Sequence, residues 1–239
     1  MRTPIHPRFA ERAVEPRYLF PEAASLTRRR PRTLRRWSIG NRRTYRGEYV
    51  VDAPLIQIDG TAERGSLPLS FLNLLELQFL SSYRSDASLP AIRRALDFAG
   101  RELGVERPLL ELDFATQGQE LFLRFAELED EMADEPYVVN ASREGQIAAW
   151  PETATAFLEA LDHDEAEHAV FRWWPLGKEK PVVVDTRLNA GHPSTARTGV
   201  RTRIIAARVS RGWSEEAIGE DVTARPDEIR AAVELEHAA

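Results

Sequence analysis

The sequence predicts an α+β protein: an N-terminal helix-turn-helix with a small wing, a middle region of helices and β-hairpins, and a C-terminal three-helix domain. Three observations point there. Short helical patterns punctuated by proline and glycine occupy both ends of the chain. Near residue 109 the hydrophobic period switches from helical to two. The charge is also divided. Residues 1–65 hold 14 Lys/Arg and 7 Asp/Glu, a balance of +7 in a chain whose total is −6, so the remainder is strongly acidic.

At 239 residues and 43% hydrophobic content the chain can build a sizeable core. It has no cysteine, which excludes disulfides, thiolate zinc sites and cysteine nucleophiles and fits a reducing cytoplasm. The first twenty residues carry no apolar run after their charges, so they do not read as a signal peptide. No stretch is apolar for long enough to span a bilayer. A cytoplasmic protein without a membrane role is expected. The divisions expected are an arm over 1–16, a DNA-binding domain with following helices over 17–104, a middle α+β region over 105–184 and the trihelical domain over 185–239.

The elements follow from local signals. Three prolines and little periodicity make 1–16 an arm or loop. Pro21 to Leu26 reads as a short helix with proline in its first turn. Arg28-Arg29-Arg30 is the turn, and Pro31 opens a second helix to Ser38. Leu34 and Trp37, three apart, share its inward face. Gly40-Asn41 ends it. Residues 45–58 are rich in Tyr, Val and Ile and predict one or two strands, a wing. Ser70 caps an apolar helix from Phe71 to Tyr83, a candidate dimer element or plain core. Ser88 caps another helix that stops at Gly104. Residues 109–125 read as a hairpin around Gly118, and 137–150 as a second. The segment 151–163 looks helical, and AVFRWW and PVVVD look like strands flanking the turn PLGKEK. In the tail, Arg201–Arg211 is helical and stops at Gly212, Ser214 caps the next helix, and Pro226 opens the last. Gly219 lies inside the second of these three helices and weakens it.

The stretch RRRPRTLRRWSIGNRRTYR, residues 28–46, holds nine arginines and no acid. A solvated basic face is the plainer reading. In a helix-turn-helix, however, the second helix enters the major groove and its first residues meet base edges. With Leu34 and Trp37 inward, Arg32, Thr33 and Arg36 point outward. Arginine pairs with guanine O6 and N7, and threonine reaches a base or phosphate. Arg28, Arg29, Arg30 and Arg35 flank them as phosphate contacts, and Arg42, Arg43, Tyr45 and Arg46 fall where a wing meets backbone. The last helix carries Asp227, Glu228, Glu234 and Glu236 against one arginine, a surface that would repel phosphate. As an enzyme the chain offers little. His163, Asp164 and His168 in DHDEAEH are the best metal candidates, yet the histidines are five apart and do not share a helical face. They read as a solvated acidic helix end. No catalytic constellation and no cofactor site emerge.

Two segments resemble known families. YLFPEAASLTRRRPRTLRRWSIG resembles the N-terminal segment of MerR-like helix-turn-helix domains. The C-terminal segment resembles a small trihelical domain of type II antitoxins. It contains Gly191-His192-Pro193, Thr198-Gly199-Val200-Arg201 and Arg211-Gly212-Trp213-Ser214-Glu215-Glu216-Ala217-Ile218. It departs from that pattern at Val200 and Gly219. In this order the two segments resemble a long VapB-type antitoxin. The resemblance implies a PIN-domain ribonuclease toxin as partner, binding of the protein's own operator DNA, a homodimer, and no enzymatic activity. It also implies an arginine set against the toxin's acidic, Mg²⁺-binding site, for which Arg197, Arg201 and Arg203 are the candidates, lying in or after a glycine loop. A stand-alone MerR-like regulator is the other reading; it requires a small-ligand pocket in the middle region, lined by Trp173 and Trp174.

Overall fold

The computed structural model describes residues 11–45, 48–63, 66–83, 107, 110, 156–164 and 169–237. The chain divides into two units, residues 1–75 with 160–239, and residues 76–159.

The first unit begins with one helical turn, α1 (Glu11–Val14), where an arm is predicted. Ala13 is buried there, and α1 lies against a strand of the sheet described below. Helix α2 (Phe20–Thr27) starts where the Glu22 carboxylate accepts the Leu19 N–H at 2.8 Å, the N3 half of a capping box. It buries Phe20, Ala23 and Ala24. It stops at Arg28, a non-glycine residue in the left-handed region (φ 53°) whose N–H returns to the Ser25 carbonyl. Three residues later Pro31 opens α3 (Pro31–Ile39), which buries Leu34 and Trp37 and packs against α2. The hairpin β1 (Asn41–Tyr45) and β2 (Glu48–Asp52) follows, antiparallel with Thr44 opposite Tyr49. Strand structure therefore starts four residues earlier than the Tyr/Val/Ile content predicts, and it takes in the arginines at 42 and 43. The segment after it returns to α3: the Trp37 carbonyl accepts the Leu55 N–H at 2.6 Å.

Helix α4 (Phe71–Tyr83) is capped by Ser70, whose hydroxyl accepts the Asn73 N–H at 3.1 Å. Asn73 in turn accepts the Asp59 N–H and donates to the Gln57 carbonyl, fastening the loop before the helix. Phe71, Leu72, Leu74, Leu75, Leu77, Phe79 and Leu80 are all buried. Apolar residues all round are what the plain-core reading of this helix expects.

A four-stranded antiparallel sheet runs in the order β3 (Leu161–Asp164), β4 (Ala169–Trp173), β5 (Val182–Asp185) and β6 (Ser194–Thr195). Strands β4 and β5 fall where predicted. Strand β3 occupies the end of the predicted helix 151–163, of which residues 156–159 are helical. Pairing with β4, Leu161 opposite Trp173, overrides the local helical pattern. Asp185 is buried in β5, and its charge is met by Arg172 Nε at 2.8 Å and by the Arg187 backbone N–H at 2.7 Å.

Helices α5 (Thr202–Ser210), α6 (Glu215–Val222) and α7 (Pro226–His237) pack on one another around Ile205, Ile218, Ile229 and Ala232. Ser214 caps α6 by accepting the Ala217 N–H. Gly219 is a packing requirement: a Cβ there would stand 2.9 Å from the Ala224 carbonyl oxygen. Helix α7 also covers β5 through Val182, Ala231 and Leu235, with Leu26 of α2 against the same cluster. The α+β class is as predicted.

In the second unit Arg107 pairs with Glu76 at 3.0 Å, and the Phe79 and Phe157 rings meet edge to face at 5.5 Å. Leu110 is helical, its N–H on the Arg107 carbonyl, where an extended hairpin is predicted. The rest of that hairpin, the helix 88–104 and the second hairpin lie outside the described residues.

The first unit is fastened at Tyr18, wholly buried, whose hydroxyl donates to the Gly191 carbonyl at 2.8 Å. Gly191 has φ 78°, and a Cβ on it would lie 2.4 Å from that hydroxyl. Tyr18→Phe is expected to lower stability by about 1–2 kcal/mol, the cost of orphaning a buried carbonyl. Gly191→Ala should cost more, since it adds a clash and positive-φ strain. Urea denaturation of the two variants tests the order.

Candidate functional site

The helix pair carries the arginine segment on its outer side. Arg32, Arg35 and Arg36 on α3 and Arg28 and Arg30 in the turn are exposed, while Arg29 is half-buried. Arg32 and Arg36 point outward as the Leu34/Trp37 spacing predicts; Thr33 does not, being half-buried. Arg35 lies over the Phe20 ring, 5.5 Å from its centroid, which holds it toward the start of α2. Arg42, Arg43 and Tyr45 belong by their backbone to β1, and Arg46 lies outside the described residues. On the paired strand Tyr49 and Val51 are 88% and 66% exposed, an apolar pair on one face of a hairpin beside a basic helix.

The C-terminal candidates separate. Arg197 is committed inside the fold: its guanidinium donates to the Thr223 carbonyl at 2.6 Å and to Glu228 at 2.7 Å. Glu228 is 1% exposed and also accepts the Arg225 N–H, capping α7. Arg201 and Arg203 behave differently. Among the described residues neither forms an ion pair, and both line a cleft of about 130 Å³. Tyr18 and Glu22 reach that cleft from the N-terminal segment, His192 from the loop before β6, and Glu236 from α7. The His192 imidazole is held below its ordinary pKa by burial first, then by Arg201, Arg203 and Arg17, against Glu22. Sequence reading finds the two arginines but neither Tyr18 nor His192 as part of a site, because these residues converge only in the fold.

Part of the acidity predicted for the last helix is turned inward, at Glu228 and Glu236, while Glu234 is exposed. Glu228 binds Arg197, Glu234 pairs with Lys180, and Glu236 accepts the Thr202 hydroxyl. Asp227, in the first turn of α7, stays exposed.

The metal candidates fall apart. His163 is exposed on strand β3, not at a helix end, and His168 lies outside the described residues. Asp164 accepts Arg187 at 3.4 Å. Among the described residues no group of three His, Asp or Glu is placed to hold a metal ion. Trp173 is buried in the core, and the Trp174 indole N–H donates to Asp162 at 2.8 Å. These rings support the sheet instead of offering polar groups to a ligand. Asp162 stays below the usual carboxylate range: burial would raise it, but bonds from Lys178 and Trp174 and the charge of Arg172 outweigh that.

Two outcomes are expected. Arg197→Ala should destabilise the protein by about 1–3 kcal/mol, because it leaves the buried Glu228 carboxylate without its cation; thermal melting measures it. His192, half-buried, is held below the ordinary histidine value by burial first and then by the charge of Arg201. The unfolded chain therefore binds more protons just below about pH 6.5, and stability should fall as pH drops through that point. Urea midpoints measured across the range should flatten in a His192→Gln variant.

Among the described residues no helix is long and apolar enough to cross a membrane. No family model matches the chain. In fold it is similar to the crystal structure of Rv2018 from Mycobacterium tuberculosis, with a TM-score of 0.70 at 22% identity, covering 95% of this chain and 99% of that one. In sequence it is 26% identical over 207 residues to a Mycobacterium tuberculosis protein described as "Putative antitoxin VapB45", a match over 84% of this chain and 86% of that protein. Over most of its length, then, the chain is similar to an antitoxin of the VapB type.

Proposed function

We propose that the chain is an antitoxin that binds and neutralises a PIN-domain ribonuclease toxin, represses its own operon by binding operator DNA, and catalyses no reaction itself. The observation that carries this reading is the similarity, over 84% of this chain and 86% of the other, to the protein described as "Putative antitoxin VapB45". The exposed arginines of α3 and its preceding turn support the DNA half. In this reading α2 and α3 are a helix-turn-helix of the MerR-like kind, with α3 in the major groove and the β1–β2 hairpin as the wing. Arg32 and Arg36 meet bases, and the arginines at 28–30 hold phosphates. A homodimer presents two such helices to a palindromic site in the cytoplasm.

The toxin half rests on Arg201 and Arg203, which have no ion pair among the described residues, and on the acid-free turn they border. Set against the acidic metal site of a PIN ribonuclease, a guanidinium competes with Mg²⁺ for the carboxylates. Arg197 has another part, since its charge is needed by Glu228.

Affinity purification of the tagged protein at native level, with mass spectrometry of what co-purifies, tests the partner. A stoichiometric PIN ribonuclease is the expected result; DNA alone would favour a stand-alone regulator. Arg32→Ala and Arg36→Ala should each weaken operator binding by about tenfold or more while the toxin complex survives. Every arginine–phosphate pair removed should reduce the slope of log affinity against log salt by about 0.9. Failure to bind both operator and toxin would instead report misfolding.

A further inference from the structure

The cleft between α2 and the start of α5 is built from segments that no local pattern joins. Tyr18 and Glu22 come from one end of the chain, His192 from the loop before β6, Arg201 and Arg203 from the head of α5, and Glu236 from the end of α7. Most other arginines around the sheet and the C-terminal helices hold a carboxylate: Arg172 and Arg187 hold Asp185, Arg197 holds Glu228, Arg208 holds Asp221 and Arg230 holds Glu215. Arg201 and Arg203 hold none among the described residues, although two glutamates share their cleft. Both glutamates are turned to other donors, Glu22 to the Leu19 N–H and Glu236 to the Thr202 hydroxyl.

We propose that this cleft binds a single carboxylate group, gripped by the guanidinium groups of Arg201 and Arg203. Size selects the guest. About 130 Å³ is well below the roughly 300–1,000 Å³ of pockets that enclose whole metabolites, and it suits one acidic side chain or one small free acid. Charge selects it too. Two forked donors without a partner match the two oxygens of a carboxylate, and the positive end of the nine-residue helix α5 adds to the field. His192 is the third donor in waiting. The charges of Arg201, Arg203 and Arg17 act on it, that of Glu22 acts in the opposite sense, and the Tyr18 ring stands edge-on at 6.5 Å. With the cleft empty, burial and these cations hold the imidazole below its ordinary pKa. An anion seated between the arginines offsets their charge, so the imidazole pKa rises and binding is linked to proton uptake.

The site uses the same two arginines as the toxin reading, and the small cleft with His192 beside them is the observation that sets it apart. Its test uses the full-length protein and NMR observation of the His192 imidazole through a pH titration, with acetate or N-acetylglutamate amide as probe and chloride at equal ionic strength as control. Either carboxylate should raise the His192 pKa by about one pH unit over the chloride control. Arg201→Gln or Arg203→Gln should weaken the probe about tenfold. Arg211→Gln, an exposed arginine at the far end of α5, should change nothing. A His192 titration that no carboxylate moves, or one that moves equally in Arg203→Gln, overturns the proposal. Acetate acting as well as the amide identifies a free small acid as sufficient, whereas action by the amide alone identifies a side chain carried on a partner.

Discussion

The hydroxyl of Tyr18 holds distant parts of the chain in one place. It donates to the Gly191 carbonyl, while the Tyr18 backbone exchanges hydrogen bonds with Leu69, Tyr18 N–H to Leu69 carbonyl at 2.9 Å and the return bond at 3.3 Å. The start of α2, the entry to α4 and the loop before β6 are therefore fixed relative to one another. Burial raises the phenol pKa far above its ordinary value, so the group stays a neutral donor. The constraint reaches into the backbone as well: Gly191 adopts a positive φ, and its missing side chain is what lets the hydroxyl approach. Helix α2 begins two residues after Tyr18, so the orientation of the arginine-bearing helix pair is set from this anchor.

Charge is used in two ways. Along α3 and its preceding turn, arginines crowd without a single acid between residues 28 and 46, an arrangement that costs self-repulsion and is relieved by a polyanion. Elsewhere arginines are largely consumed by the fold. Arg172 and Arg187 neutralise the buried Asp185, and Arg197 neutralises the buried Glu228 that caps α7. A buried carboxylate without its cation is expensive, so those arginines are tied to stability. Arg201 and Arg203 belong to neither group. They are cations placed in a concavity with the local acids turned elsewhere, which is why the C-terminal candidates divide into one structural arginine and two available ones.

Much of the helical framework was legible in the sequence. Helices α2, α3, α5, α6 and α7 were readable to within about two residues because each carries its own punctuation: Pro21, Pro31 and Pro226 at starts, Gly40 and Gly212 at ends, Ser214 as a cap. The outward direction of Arg32 and Arg36 followed from the spacing of Leu34 and Trp37. Strand β3 was not legible. Its residues, Leu-Asp-His-Asp, continue a helical pattern, and only pairing with β4 makes them extended. The acidic surface expected on α7 is only partly kept: Asp227 and Glu234 stay exposed, while Glu228 is buried against Arg197 and Glu236 accepts the Thr202 hydroxyl.

By itself the sequence determined where most of the described helices start and stop, which face of α3 is basic, and that positive charge gathers at one end. Those are properties of neighbours within a few positions, and the chain writes them locally. The tertiary structure alone decided that the apolar side chains of α4 are buried, that Arg197 is bound to Glu228, and that Tyr18, His192, Arg201 and Arg203 meet around one small cleft. Several of those outcomes join residues far apart in the chain, as with the 173-residue separation of Tyr18 and Gly191, and such pairings exist only once the backbone has closed.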